Sequence, residues 1–390
     1  MKPRPSRSSV EKIMTEFAHL TGLAAAAGAL RRYLWTDAFA VCNLLGLYQE
    51  TGGREFKDLA LQLVDQVHSV LGRHRHDNHR TGWISGLDEE DGRLHPTKGG
   101  LRIGKQLNER RPSDPFNEQL EWDRDGQYYH YLTKWMHALN RVTNITGDFT
   151  YNRWAIELAR VAHSKFVYAP SSGSQKRMYW KMSIDLSYPL VPSMGLHDPL
   201  DGLVTYSQLQ ATAAEDPLLM VQDLSAEILD MANMCERRSW ATDDPLGIGG
   251  LLSDAFRVAQ LMVKGYFAKA GLLSDLLDAS LVGLRVFAKE DHLKLPVDYR
   301  LAFRELGLSI GLGAVEGMSE LVERNQHTFG KDHNLKAPMK ALKQYEPIKE
   351  VIDSFWLKPE NQEAESWIAH RDINMVMLAT SLSPDGYLRL

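Results

Sequence analysis

Two stretches decide the fold: residues 48–67, YQETGGREFKDLALQLVDQV, and residues 144–162, NITGDFTYNRWAIELARVA. Each runs from a helix end through Thr-Gly and a polar link to an aromatic residue and a second, amphipathic helix. Glycine after the last helical turn takes the left-handed conformation that other residues resist, so Thr-Gly is a stop signal. On one side of the first stop, Leu34, Phe39, Val41, Leu44, Leu45 and Tyr48 recur at helical spacing over 33–49. On the other side, Phe56, Leu59, Leu63, Val67 and Val70 do so over 54–71. The second stop joins a helix over 126–145, with Tyr128, Leu132, Trp135, Leu139 and Val142 on one side, to a return over 150–166. The chain is therefore read as repeated helical hairpins, weakly similar to one another.

The same reading extends along the chain. An outgoing helix starts at HDPLDGLVTYSQLQ and returns over 217–236; GGLLSDAFRVAQLMVKGY returns over 274–289; residues 299–324 return over 337–356. The last outgoing helix, WIAHRDINMVMLATSL, is left to close on an N-terminal helix over 9–29. That makes six outgoing and six incoming helices, with no train of alternating strands. The expectation is one all-α domain over residues 1–390.

Bulk properties exclude several classes. The chain has 390 residues, 44% hydrophobic and 24% charged, with a net charge of −5. Its sequence pI is near 6.3, so no basic field is available for a nucleic acid. Cys42 and Cys235 stand in apolar helical contexts outside any metal spacing, and read as reduced core residues. The apolar run LTGLAAAAGAL is too short to span a bilayer and is followed by RRYLWTDAF, so neither a membrane segment nor a cleaved signal is expected. The expected location is the cytoplasm.

Between the first two hairpins lies an irregular insertion over 73–122, rich in Gly, Asp, Arg and Pro. Trp83, Ile84, Leu101 and Ile103 give it apolar surface to bury, so it is expected to be ordered, as a small β-hairpin over one face. Its GGLRIGKQ fits G-x-x-x-x-G-K, but Gln106 stands where a hydroxyl would bind magnesium and NERRPSDP cannot continue as the required helix; no P-loop is expected. HRHDNH, residues 74–79, reads as a solvated loop rather than a metal site. No cofactor is expected. A second irregular segment, 169–197, is aromatic and broken by proline.

Six outgoing helices that open on polar and aromatic residues resemble the six-hairpin glycosidase superfamily, the (α/α)6 toroid. The openings are YLWTDAF, LEWDRDGQYYHYL, GLHDPLDGLVTY, TDDPLGIGGLLSDAF, YRLAFRELG and ESWIAHRDINM. Four place a tryptophan before an acid: Trp35-Asp37, Trp122-Asp123, Trp240-Asp243 and Trp367-Asp372. WTDAF is similar to the Trp-x-Asp opening of unsaturated glucuronyl hydrolase-like members, although the longer signatures of particular glycosidase families are missing. The resemblance implies an all-α toroid whose inner-helix starts form a sugar cleft, with the insertion lying over it.

Glycoside hydrolysis needs two carboxyl groups, one protonating the leaving oxygen and one acting as base or nucleophile. Asp37 with Asp123 or Asp125 is the expected pair. The same residues also fit helix caps, because Asp is a preferred N-cap and first-turn acids are favoured by the helix dipole. Trp35, Trp122, Tyr129 and Trp367 are expected to stack a sugar, while His197, His370 and Arg371 orient its polar groups, Arg371 as a clamp for a uronate. Trp83, Trp180 and Trp240 also stand at helix starts or in loops, whereas Trp135 and Trp154 fall mid-helix in the core. Asp198 and Asp201 read as the N-cap and first turn around Pro199. The expected activity is glycoside hydrolysis. The alternatives are a sugar 2-epimerase of the N-acylglucosamine epimerase type with His197 and His370 as bases, and a carbohydrate-binding or scaffold protein without activity.

Overall fold

A computed structural model describes residues 7–24, 30–171, 173, 175–216, 223–267, 270–329 and 335–390. Its contacts divide the chain into two compact units, residues 18–236 and residues 1–17 with 237–390.

The first unit holds three pairs of helices: Leu34–Thr51 with Arg54–Leu71, Tyr129–Thr146 with Thr150–Phe166, and Asp198–Ala213 with Ser225–Met234. The first member of each pair is buried on all sides, as residues 34–47 show. The second buries one stripe, such as Phe56, Ala60, Leu63, Val64, Val67 and Leu71. A helix apolar on every face must be enclosed, and one with a single stripe must face water, so the pairs form an inner and an outer layer. The inner helices pack on one another in sequence order, the Tyr129 helix between the other two. Of the expected return over 217–236, residues 217–222 lie outside the described residues, as do 25–29 of the expected 9–29 helix.

The two Thr-Gly stops use the same chemistry. Gly52 and Gly147 have φ of 72° and 76°. Thr51 Oγ1 donates to the Leu47 carbonyl at 2.7 Å and accepts from the Gly53 N–H at 2.9 Å. Thr146 Oγ1 donates to Val142 at 2.8 Å and accepts from Asp148 N–H at 3.2 Å. The threonine thus satisfies a carbonyl of the outgoing helix and an N–H of the link, and the glycine supplies the turn.

The insertion is ordered but is not the expected β-hairpin. It contains short helices Glu89–Leu94 and Glu118–Asp123, capped by Asp88 and Asn117, and isolated bridges between Arg73 and Trp83 and between Leu107 and Arg124. Its backbone groups bond to scattered carbonyls, such as those of Leu71 and Gly126, and to the buried side chains of Gln127 and Asp125, instead of a continuous partner strand. The sheet appears later: Gln127–Tyr128, Lys181–Met182 and Pro189–Val191 pair antiparallel in that order, and Val167–Tyr168 pairs with Arg177–Met178. The insertion is joined to the inner layer where the Leu34 N–H bonds the Ile103 carbonyl at 3.0 Å.

In the second unit, Pro245–Val263 pairs with Ala270–Lys289, and Ala302–Arg324 packs on Pro245–Val263, Pro347–Trp356 and Arg371–Leu382. The expected return over 337–356 is split into Lys336–Lys343 and Pro347–Trp356, because proline has no N–H to continue the ladder and restarts a helix at its first turn. The last outgoing helix likewise divides into Glu365–Ile368 and Arg371–Leu382. Helix Pro245–Val263 is long and apolar enough to cross a membrane, but 72% of its apolar window is buried within the protein. It meets Ala302–Arg324 through Gly249, Gly307 and Gly311, where any Cβ at Gly249 would overlap the Gly307 carbonyl.

Burial also sets a pH response. His68 is buried, its Nε2 accepts from Trp135 Nε1 at 3.1 Å, and burial pushes its pKa down to about 3. A lowered folded pKa means the unfolded chain binds more protons between about pH 3 and 6.5. The associated stability is complete above pH 6.5 and is lost as pH falls towards 3. Urea melts at pH 5 and 7 should differ by on the order of 2 kcal/mol from this group. His68→Gln keeps an acceptor without titrating and should shrink that difference; an unchanged difference would refute the assignment.

Candidate functional site

The site is built from buried charge outwards. Asp125 is fully buried, and its Oδ1 accepts the N–H groups of Gly104 at 2.9 Å and Gly126 at 3.1 Å. Its Oδ2 accepts from Arg75 at 3.2 Å and Arg102 at 2.9 Å. Next to it, Gln127 accepts from Leu101 N–H at 2.9 Å and donates to the Ile184 carbonyl at 2.7 Å. These two side chains tie both irregular segments to the point where the Tyr129 helix begins. Gly126, at φ 150° and packed against the Met182 carbonyl, leaves no room for a side chain there.

Four rings leave this junction in different directions. Tyr129 enters the core, its hydroxyl donating to Tyr206 at 2.8 Å. Tyr128 pairs across the sheet with Lys181, which sets its ring 4.9 Å from Trp180. Lys181 Nζ bonds the carbonyls of Glu121 at 2.6 Å and Arg124 at 2.9 Å, holding the end of helix Glu118–Asp123 so that Trp122 meets Trp180 edge-on at 5.2 Å. His130 lies parallel to Trp180 at 6.2 Å and to Tyr128 at 5.5 Å. Tyr131 packs on His130 at 4.8 Å and on Trp35 at 5.2 Å, and shares a 2.8 Å hydroxyl hydrogen bond with Tyr33. Lys105 Nζ sits over the Tyr33 ring, 5.3 Å from its centre.

The result is a strip of rings from Trp122 through Trp180, His130 and Tyr131 to Tyr33, exposed or half-buried along its length. His130 Nδ1 is 3.7 Å from Asp198 Oδ1 at the start of the third inner helix. Burial lowers the His130 pKa to about 4, so the imidazole is neutral at pH 7. Burial raises the Tyr33 and Tyr128 phenols and lowers the Lys105 ammonium. Trp35 Nε1 and Tyr128 Oη are buried and find no hydrogen-bond partner among the described residues. Buried donors rarely go unmet, and these two flank the strip.

The expected residues divide. Asp37 is buried, accepts from Arg32 at 3.1 Å, and accepts the Tyr33 N–H at 2.9 Å, closing the first turn of its helix. Asp125 holds the insertion. Asp123 is exposed at the end of its short helix beside Trp122. Trp35 and Trp122 join the strip, whereas Tyr129 belongs to the core. His197 is half-buried and precedes Asp198 as the N-cap residue, with no side-chain cap bond. In the other unit Trp367 is buried and stacked on Trp356 at 5.6 Å. His370 is exposed, its ring edge-on to Phe303 with centres 5.5 Å apart, and Arg371 lines a groove with Ile13, Glu16 and Met375. Trp83 and Trp240 are buried. Among the described residues no group of three or more His, Cys, Asp or Glu could hold a metal ion.

His130, Tyr131 and Tyr33 were not singled out by sequence reasoning, Lys105 only as the lysine of the rejected G-x-x-x-x-G-K match, and Trp180 only as one of the loop tryptophans. A usable signal was the QYYHYL run: Tyr129 and Leu132 are buried, and His130 lies about 100° round the helix from Tyr129.

The chain matches no protein-family model, and no curated protein is similar to it in sequence. Solved structures do match. D-mannose isomerase aligns with a TM-score of 0.53 and 12% identity over 98% of this chain and 100% of its own. The GH76 α-mannanase of Bacteroides thetaiotaomicron aligns with a TM-score of 0.54 and 9% identity over 96% and 95%. At such identities the likeness shows the fold alone: this chain is an all-α (α/α)6 toroid.

Proposed function

We propose that the protein is a carbohydrate-active enzyme that moves a proton at the carbon beside a sugar carbonyl, as an aldose–ketose isomerase or 2-epimerase does, with His130 as the base. The observation that carries this is a neutral imidazole set in a half-exposed aromatic strip beside Asp198. Sugars offer C–H faces to such rings. With Nδ1 turned to Asp198, Nε2 is the nitrogen that accepts the C2 proton while the C–H electrons pass into an enediolate; Asp198 stabilises the imidazolium. The proton then returns to the neighbouring carbon in isomerisation, whereas epimerisation needs a second acid to deliver a proton to the opposite face of C2. D-mannose isomerase has the same fold, in keeping with this reading.

Hydrolysis is the rival, since an α-mannanase also has this fold and Asp123 is exposed beside Trp122. It lacks a second carboxyl from the expected set, because Asp37 and Asp125 already hold arginines. The test is NMR of free aldoses and ketoses in D2O with the enzyme. Deuterium is expected at C2, falling by about 10²–10⁴-fold in His130→Gln at unchanged Tm. His197→Gln and His370→Gln should fall less. Cleavage of oligosaccharides that depends on Asp123, without deuterium exchange, would replace this reading with hydrolysis; silence on both counts would favour a binding protein.

A further inference from the structure

The GGLRIGKQ loop makes no phosphate cradle. The N–H groups of Leu101, Arg102, Ile103 and Gly104 are spent on Gln127, the Leu71 carbonyl, the Gly126 carbonyl and Asp125. Its lysine is another matter. Around the strip, each neighbouring cation has its own carboxylate: Arg32 has Asp37, Arg75 and Arg102 share Asp125, Lys134 has Asp201, and Lys181 has Glu121. Lys105 Nζ makes no hydrogen bond or ion pair with any described residue, although its side chain is half-buried against Tyr33. Asp123 and Asp125 act on it only from a distance.

A half-buried ammonium over a ring has given up hydration for a modest cation–π attraction. An arriving anion would restore what it lost, because charge-assisted hydrogen bonds are about twice as strong as neutral ones. Lys105 also stands at the Tyr33 end of the strip. The rings of Tyr33 and Tyr131, 5.6 Å apart, separate it from His130. It would therefore meet a group at the end of the sugar remote from the reacting carbon. We infer that Lys105 is an anion-binding residue and that the saccharide carries a carboxylate or phosphate at that end. The inference rests on the strip being the sugar site.

Calorimetric titration with D-glucose, D-glucuronate and D-glucose 6-phosphate tests it. At least one anionic sugar should bind the wild-type protein tenfold or more tightly than glucose, and added salt should erode the difference. The tighter of the two identifies the anion. Lys105→Met should abolish the preference and Lys105→Arg should keep most of it. An anion-to-neutral ratio unchanged by Lys105→Met overturns the inference, as does glucose binding as tightly as both anions. Trp180→Ala separates the two layers of the argument. If it weakens all three sugars, the strip is the site; if the preference depends on Lys105 but ignores Trp180→Ala, the lysine role stands and the strip reading fails. No binding by any of the three overturns both.

Discussion

Asp125→Ala is expected to destabilise the protein by about 3–5 kcal/mol, the cost of removing one partner from a buried ion pair. The carboxylate is fully buried, and the Arg75 and Arg102 side chains are only 8% and 12% exposed. Without it, the Arg102 guanidinium stays behind with little access to water, and Arg75 is left with Asp77 as its carboxylate. Arg75 keeps the Asp77 carboxylate at 2.7 and 3.0 Å and the Lys105 and Gln106 carbonyls, whereas Arg102 keeps only the neutral Arg73 and Val70 carbonyls, so geometry partly survives while the Arg102 charge goes uncompensated. The Gly104 and Gly126 N–H groups also lose their acceptor. Urea denaturation measures the loss, and near-ultraviolet circular dichroism should show the strip losing its fixed ring geometry. Asp125→Asn, which keeps the shape but not the charge, should fall between. A loss below 1 kcal/mol for alanine would mean that Asp125 does not organise this region.

The second large effect is in the other unit, and it comes with an adjacent control. Gly249→Ala should cost about 3 kcal/mol, the upper range for overpacking. The new methyl would overlap the Gly307 carbonyl, and a Cβ at Gly311 would strike Gly249, so the two helices meet backbone to backbone. Backbone cannot step aside by changing rotamer. One residue on, a Cβ at Gly250 meets nothing within 4 Å. There the ordinary helix preference applies, and Gly250→Ala should stabilise by roughly 0.5–1 kcal/mol. Thermal and urea melts of the two variants should therefore move in opposite directions. If both shift the same way, the close approach of the helices is not as described.

The hairpins were legible because their signals are local. Thr51-Gly52 and Thr146-Gly147 end helices through bonds to residues within four positions, and the stripe from Phe56 to Leu71 is periodic on its own. The insertion was not legible for the opposite reason. Asp125 bonds Arg75 across 50 residues and Arg102 across 23, and no periodicity reports such pairing. The expected hairpin failed because its N–H groups are shared between side-chain oxygens and carbonyls of separate segments, not one partner strand. Asp37 carried both readings in the sequence, and burial against Arg32 gives it a structural task. His130 was overlooked because its neighbours Tyr129 and Leu132 are core residues, and because Trp180 reaches it through sheet pairing from 50 positions away. The break at Pro347 was the exception, a local signal in plain view.

One carboxylate closes the insertion and also fixes the phase in which Tyr128, His130 and Tyr131 emerge. The aromatic strip therefore assembles all at once or not at all, and deleting the insertion would scatter its rings rather than widen the space between them. Freedom for the sequence to drift lies instead in the solvent-facing residues 111–116, away from Asp125 and its arginines.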